Sequence, residues 1–511
     1  MGYPDHLALL EDHLGRLERR LRATVLRRRQ HDASIGGMPL VGADAEDLDP
    51  DILESDADKR AVTIARRISE TDRGSVSLPL LDLQDRFGLD AFELDVVLLA
   101  LAPSLDLRFN RYYALLREGS LRGELDVDGI LGLLGGGLSE RIRLRRYFAP
   151  DAPLVQHHVI ALDRHRIELG DSFLSLGVRL PQRVLGWLLG EDNLDAALQG
   201  FSKLIDPDVR FDQVVLAEGV RESIEAMVQN HAEYVETLKE WRLDERITYG
   251  RGVVLLFVGA PGTGKTMTAK AVASQLNKRL LLVDPQQIFD MKRPVEDNLA
   301  DLFREARLQN AVVFFDECEG LLGHRATGNP QVSVVLSAIE HYDGVVVLST
   351  NMPHLLDEAL DRRVLYRVVF EAPSVTLRRR IWELHLPDTV PVNDDVDVET
   401  LARQFDFTGG YIKNAVLVAL HRALSRPERP AQLTAEDLLV AARTQLRARL
   451  SEFAERTPTT LRLEDLVLPE ETSSQIGEIL AAARSRSTVF QEWGFGAKLN
   501  KGRGLSALFD G

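Results

Sequence analysis

The sequence predicts an α/β fold in which a mostly parallel sheet is covered by helices on both faces and flanked by helical regions. From about residue 206, short apolar runs alternate with helical segments, and this alternation is typical of parallel sheets. The pattern is mostly helical from residue 55 to 205, and it becomes helical again from Pro373 to about Leu450. A chain of 511 residues is long enough for more than one domain.

The N-terminal region is predicted to form a separate, mostly helical domain over residues 1–205. Residues 7–30 place leucines at helical spacing with charged residues between them, and a stretch rich in Gly, Pro and Asp from Ser34 to Asp51 predicts a linker. The segment Ser77–Leu81 followed by the helical pattern of Ala91–Leu101 indicates a winged-helix-like fold. We expect this domain to bind a partner or a substrate.

The central and C-terminal regions can be divided into individual elements. The apolar runs that predict strands are Val253–Val258, Leu280–Val283, Val312–Phe315, Val345–Leu348 and Val368–Phe370. The later helices are predicted at Leu377–Leu386, Ile412–Ser425 and Thr434–Leu450. Thr434 followed by Asp437 resembles a capping box, with Asp in place of Glu.

Composition excludes several classes of protein. The formal net charge of −16 argues against broad nucleic-acid binding, which needs a basic surface. The single cysteine, Cys318, rules out an intrachain disulfide, fits a reducing compartment, and is expected to be a small buried apolar residue. The sequence has neither a signal peptide nor an apolar run long enough to insert into a membrane. We therefore expect a cytoplasmic protein.

A phosphate-binding loop follows the first predicted strand. The motif consists of Gly259, Ala260, Pro261, Gly262, Thr263, Gly264, Lys265 and Thr266, and a helix is predicted to begin near Met267. In this context the glycines let backbone N–H groups turn towards phosphates, and the helix N-terminus adds a favourable potential. Lys265 is expected to reach the β- and γ-phosphates of ATP, and the Thr266 hydroxyl is expected to bind Mg²⁺.

Polar residues at the ends of two further strands complete a hydrolytic set. Asp316 and Glu317 directly follow the run Val312–Phe315, which predicts that Asp316 lies beside Mg²⁺ and that Glu317 polarises the attacking water. Asn351 follows another buried strand and could orient this water if that strand lies between the other two.

Two adjacent arginines precede the last predicted strand. Arg362 and Arg363 each carry a fixed cation of the kind that stabilises charge on a transferring phosphate, often from a neighbouring subunit. Both are candidate catalytic residues.

The end of the chain repeats an earlier part. Residues 463–511 align without gaps on residues 211–259, and Trp493 and Gly502-Arg503-Gly504 match their counterparts in the first copy. Gly511 aligns with Gly259, so that the chain stops where a second phosphate-binding loop would begin.

Taken together, these residues resemble the AAA+ ATPases, specifically the AAA subgroup, over roughly residues 206–450. The resemblance implies a large α/β subdomain at 206–372, a helical lid at 373–457 and, at 458–511, the linker and first strand of a truncated second module. It also implies that Gly409 and Gly410 open a lid helix near the nucleotide, with Lys413 at a position where many relatives carry arginine.

The same resemblance implies a ring, usually a hexamer, in which the arginines act on the neighbouring subunit and ATP drives the remodelling, assembly or disassembly of a protein partner. The sequence departs from the family in the pore loop, which lines the central channel of the ring. Threading motors carry an aromatic residue and a glycine there, and Asp290–Val295 has neither. Met291 and Lys292 could still touch a substrate. The segments Asp90–Asp95, Arg146–Pro150 and Glu492–Gly496 resemble winged-helix ATPases that are encoded with contractile injection systems, which are phage-tail-like particles.

Two other functions remain open on the sequence alone. One is a nucleotide-gated scaffold that assembles on ATP but hydrolyses it slowly. The unusual pore loop and the missing second module suggest this function. The other is DNA binding through the N-terminal domain, against which the acidic charge balance weighs.

Overall fold

The computed structural model describes residues 2–31, 49–116, 125–163, 172–241, 243, 250–290, 293–323, 331–427, 432–450, 465, 467–487 and 489. Most of the predicted linker from Ser34 to Asp51 lies outside these residues, as do Met291 and Lys292. None of the helices within the described ranges combines the length and the apolar character that crossing a membrane requires.

The N-terminal region is mainly helical, as predicted. Its helices are α1 (His6–His31), α2 (Pro50–Ser69), α3 (Pro79–Phe87), α4 (Ala91–Leu105), α5 (Arg108–Leu116), α6 (Val127–Leu134), α7 (Leu138–Leu144), α8 (Pro153–Gln156) and α9 (Gln182–Leu188). Strands β1 (Ala161–Asp163) and β2 (Gly177–Arg179) pair antiparallel. Helix α4 begins with a capping box between Asp90 and Glu93, and its buried apolar residues form the centre of this region's core.

The middle of the chain folds into a parallel sheet extended by one antiparallel edge strand. The strands are β3 (Ser202–Ile205), β4 (Val253–Gly259), β5 (Arg279–Val283), β6 (Ala311–Phe315), β7 (Val345–Thr350) and β8 (Tyr366–Phe370). Their order is β3-β5-β6-β7-β4-β8, and only β3 runs antiparallel to its neighbour. The fold class is confirmed, and every predicted strand forms. Strand β3 was not predicted, because its half-buried pattern lacks a continuous apolar run.

Helices cover both faces of this sheet and form separate apolar cores with it. They are α10 (Glu218–Glu240), α11 (Lys265–Gln275), α12 (Pro285–Asp290), α13 (Val295–Leu308), α14 (Glu319–Leu322) and α15 (Val332–His341). Parallel strands end at the same edge of a sheet. Because β7 lies between β4 and β6, the residues that follow these three strands meet at one edge.

The region after the sheet forms a small group of helices at the residues where the sequence predicts a lid, and we call this group the lid. Its helices are α16 (Val375–His385), α17 (Val398–Gln404), α18 (Gly409–Leu424) and α19 (Ala435–Leu450), which pack around the fully buried Trp382. The predicted capping box at α19 is confirmed, because the backbone N–H of Thr434 donates to Asp437 and the backbone N–H of Asp437 donates to the Thr434 hydroxyl.

A final helix, α20 (Glu470–Ser487), begins at the residue that aligns with Glu218, where α10 begins. The two aligned segments therefore share a helix with the same first residue. The strand expected near the end of the chain lies outside the described residues, so the second module remains a prediction.

Candidate active site

The phosphate-binding loop contains three glycines, which are required for two different structural reasons. Gly262 and Gly264 have φ angles of 77° and 102°, a region that L side chains rarely adopt. A Cβ atom on Gly259 would lie 2.4 Å from the carbonyl oxygen of Phe370 on the neighbouring strand. The first glycine therefore allows close packing in the sheet, and the other two give the loop its curvature.

The side chain of Lys265 lies beneath the loop and has three acceptors. Its ammonium group donates to the carbonyl oxygens of Gly259 at 2.6 Å and Ala260 at 3.0 Å, and to Oδ1 of Asn351 at 2.7 Å. Burial lowers the pKa of Lys265, and the nearby carboxylates of Asp316, Glu319 and Glu317 oppose this shift. The structure thus brings together two predicted site residues, Lys265 and Asn351, through a hydrogen bond that the sequence did not predict.

Thr266 and Asp316 form a pair of oxygen ligands at the edge of the sheet. The hydroxyl of Thr266 donates to Oδ2 of Asp316 over 3.2 Å. Hydroxyl and carboxylate oxygens are the ligands that Mg²⁺ prefers, usually completed by water and substrate phosphates. These two oxygen donors therefore fit the predicted metal.

Glu317 lies in a turn with an unusual backbone conformation. Its φ angle is 53°, a left-handed value that is uncommon outside glycine, and its side chain is exposed. The next residue holds this turn in place, because the Cys318 N–H donates to the carbonyl oxygen of Ser349 at 2.8 Å and the Cys318 side chain is fully buried. Cys318 is therefore the small buried apolar residue that the sequence predicted, and it helps to present Glu317.

The lid contacts the loop through its backbone. The N–H of Gly410 donates to the carbonyl oxygen of Gly262 at 3.1 Å, and the Thr408 hydroxyl donates to the carbonyl oxygen of Pro261 at 3.3 Å. The start of α18 consequently lies directly against the phosphate-binding loop, as expected for Gly409 and Gly410.

These groups open into one cavity of about 1290 Å³, which is large for a small-molecule site. The predicted residues that line it are Pro261, Gly262, Thr263, Gly264, Lys265, Thr266, Asp316, Glu317, Asn351, Gly409, Gly410 and Lys413. Gly259 and Ala260 contribute from below through their bonds to Lys265.

Some residues of the cavity wall were not predicted from the sequence. It includes the segment from Val214 to Ala217 before α10, and Ile381 and His385 on α16. Burial and the nearby cation of Lys413 both lower the pKa of His385, so its ring is neutral near pH 7. The apolar spacing of α16 predicted a helix, but no local signal in the sequence places that helix over the loop.

The two arginines do not line this cavity. Arg362 is exposed, whereas the Arg363 guanidinium is bonded to Glu340. The structure thus brings together every other predicted site residue and places both arginines away from this cavity.

Three family models match successive parts of the chain. A variant winged helix domain matches residues 1–202, the family of ATPases associated with various cellular activities (AAA) matches residues 255–372, and the contractile injection system ATPase helical domain matches residues 374–448.

Curated relatives are similar to less than half of the chain. They include an ATP-dependent zinc metalloprotease FtsH of Halothermothrix orenii (32% identity, 45% of this chain, 38% of the relative). A cell division cycle protein 48 homolog of Archaeoglobus fulgidus shares 31% identity over 40% of this chain and 28% of its own. Vacuolar protein sorting-associated protein 4A of Rattus norvegicus shares 28% identity over 47% of this chain and 55% of its own. The chain therefore spans well under two thirds of each relative.

Proposed function

We propose that this chain, in which a domain matching the AAA ATPases is joined to a winged helix domain and to the helical domain of contractile injection system ATPases, hydrolyses ATP in a ring-shaped homo-oligomer to remodel protein partners. The observation that carries the proposal is the convergence of Lys265, Asp316 and Asn351 at one edge of the sheet.

Each residue at this edge has a chemical role in the proposed reaction. Lys265 binds the β- and γ-phosphates, Asn351 and Glu317 position water against the γ-phosphate, and Glu317 polarises it. Thr266 and Asp316 would hold Mg²⁺, which neutralises charge on the phosphates when it is bound. The lid residues Gly410 and Lys413 close the other side of the cavity.

The exposed position of Arg362 supports an assembly in which it reaches the site of a second copy. A contact of this kind joins two different surfaces, and repeating it closes a ring when the rotation allows. We expect a hexamer that acts in the cytoplasm on components of a phage-tail-like contractile injection system. Support for that substrate comes from the match of residues 374–448 to the contractile injection system ATPase helical domain.

The decisive experiment compares Mg²⁺-dependent ATP turnover in wild type and Glu317→Gln. Loss of the water-polarising carboxylate is expected to lower kcat by at least about 10²-fold, because a positioned general base contributes about that much or more. Glu222→Gln, which neutralises an exposed carboxylate on α10, is the matched control and should behave as wild type.

Equal, slow turnover in wild type and Glu317→Gln would refute the proposed ATPase. Size-exclusion chromatography with and without ATP, run beside the turnover assay, tests the assembly. ATP-dependent assembly with negligible turnover would favour the nucleotide-gated scaffold instead. Binding of the full chain to duplex DNA at low salt, measured by gel shift, would favour the DNA-binding alternative.

A further inference from the structure

The two adjacent arginines at the end of the turn before β8 have different surroundings. Arg363 uses three of its groups within its own subunit. Nε and Nη2 donate to Oε2 of Glu340 at 3.0 and 2.7 Å, and Nη1 donates to the carbonyl oxygen of Ala359 at 2.8 Å. Its side chain is only 12% exposed.

Glu340 is itself fixed in the fold. It lies in the last turn of α15, and its carbonyl oxygen accepts a hydrogen bond from the backbone N–H of Gly250 at 2.7 Å. Its side chain is 21% exposed, so the pair with Arg363 is largely shielded from water. Ion pairs shielded in this way are screened less by salt than pairs on the open surface.

The turn that carries both arginines is also anchored at its start. The Asp357 N–H donates to the carbonyl oxygen of Leu322 at 2.9 Å, and Leu360 is buried. At its other end, the turn is held by the hydrogen bonds from Arg363 to Glu340 and Ala359. Arg362, in contrast, is exposed and forms no hydrogen bond or ion pair within the described ranges of the chain.

A guanidinium has five N–H groups in a fixed fork, and its strongest contacts are bidentate. In Arg363 the Nε and Nη2 side of this fork already holds a carboxylate. Reaching a phosphate on another subunit would require breaking that pair and leaving Glu340 without its partner. Arg362 can reach outward without any such loss.

We propose that the two arginines divide their work: Arg362 is the catalytic residue that contacts phosphate on the neighbouring subunit, and Arg363 is a positioning residue that acts through Glu340. The Arg363–Glu340 pair holds the turn so that Arg362 projects from the surface. This inference rests on the proposed ring, and it replaces two equivalent arginines with one contact and its support.

The test is a set of variants assayed for ATP turnover. The single variants are Arg362→Ala, Arg363→Ala and Glu340→Ala. The double variants are Arg363→Ala with Glu340→Ala, and the charge swap Glu340→Arg with Arg363→Glu. Arg362→Ala should lose about 10³-fold in kcat, at the lower end of the effect of an arginine finger. Arg363→Ala and Glu340→Ala should each lose about 10-fold, and the double variant no more than either one, since both remove the same contact.

Two readouts separate positioning from simple destabilisation. Because neither Arg363 nor Glu340 lines its own ATP cavity, the KM for ATP should stay at the wild-type value while kcat falls. The charge swap should recover most of the turnover lost by Arg363→Ala, since it restores an ion pair but leaves no cation at position 363. Thermal melting confirms that each variant is folded at the assay temperature.

Two results would overturn the inference. In the first, Arg363→Ala loses as much turnover as Arg362→Ala while Glu340→Ala keeps the wild-type kcat. In the second, the charge-swap variant is folded but restores none of the turnover that Arg363→Ala loses. Either result would make Arg363 a direct phosphate contact. Failure of the proposed function has a different signature, because wild type itself would then show no turnover, which removes both proposals.

Discussion

At the scale of single residues, we propose that one hydrogen bond links nucleotide binding to the positioning of water. Lys265 donates to two backbone carbonyls of its own loop and to the side chain of Asn351. A phosphate that reaches this ammonium has to replace one acceptor, and Asn351 is the only one of the three that is not part of the loop. Once released, Asn351 becomes available to hold the attacking water. Arrival of the phosphate would therefore free the group that the next step needs.

Replacing Asn351 with Ala tests this competition. The variant loses a hydrogen bond to a charged group, worth about 1.5–3 kcal/mol, in the state without nucleotide only. ATP should therefore bind at least as tightly as to wild type, while kcat falls by about 10²-fold because water is no longer oriented. A fluorescent ATP analogue measures affinity, and steady-state turnover gives kcat. Weaker binding together with unchanged kcat would contradict the competition.

At the scale of elements, the start of α18 acts through its fit against the phosphate-binding loop. A Cβ atom on Gly410 would lie 3.2 Å from Cα of Gly262, which is tighter than an ordinary contact, whereas a Cβ atom on Gly409 would have 3.5 Å to its nearest neighbour. The two adjacent glycines of the lid thus differ in how much space they leave.

Gly410→Val should displace the lid from the loop and weaken ATP binding by about tenfold or more, which corresponds to about 1.4 kcal/mol. Gly409→Val is the matched comparison. It should weaken ATP binding less, because a Cβ atom at position 409 has more space, 3.5 Å to its nearest neighbour. Isothermal titration of ATP into each variant measures the difference. Equal losses would mean that the fit at Gly410 has no special part in closing the site.

The elements also indicate what the sequence could and could not predict. Buried strands such as β4 and β7 are continuous apolar runs, so their pattern alone identified them. The phosphate-binding motif after β4 located Lys265, and the polar residues that follow β6 and β7 located Asp316 and Asn351. Arg363 is different, because it lies in a turn, its partner Glu340 lies on α15, and only the folded chain places the two together. The same limit applies to His385, whose helix was predicted but whose position over the cavity depends on packing.

Charged residues of α13 illustrate this limit most clearly. Arg304, Glu305 and Arg307 would be assigned to an exposed helix face, because charged side chains are almost never buried unless they are paired. All three are buried in the structure. Spacing within α13 indicates one pair, Asp301 with Arg304. The other partners are distant in sequence and are placed by folding: Asp195 for Arg304, Arg183 for Glu305 and Asp343 for Arg307.

At the scale of the whole molecule, helix α13 joins the N-terminal region to the α/β sheet. Arg183 on α9 forms two hydrogen bonds of 2.8 Å with Glu305, and the carboxylate of Glu305 is fully buried. Leu308 belongs to the apolar core of the N-terminal region, and β3 extends the sheet by pairing with β5. The two regions share a helix, a core residue and a sheet edge, which favours unfolding as one unit.

Glu305→Ala tests whether this junction is a cooperative part of the fold. The variant leaves the Arg183 guanidinium buried without its carboxylate, and breaking a buried pair in this way costs about 3–5 kcal/mol. Differential scanning calorimetry should show a single main transition for both regions in wild type, shifted to lower temperature in the variant. The double variant Arg183→Met with Glu305→Leu removes both charges and should recover most of the loss, because well-packed apolar replacements of buried pairs are often neutral. Two separate transitions, of which only one shifts, would instead mean that the N-terminal region unfolds independently of the sheet and that α13 does not couple them.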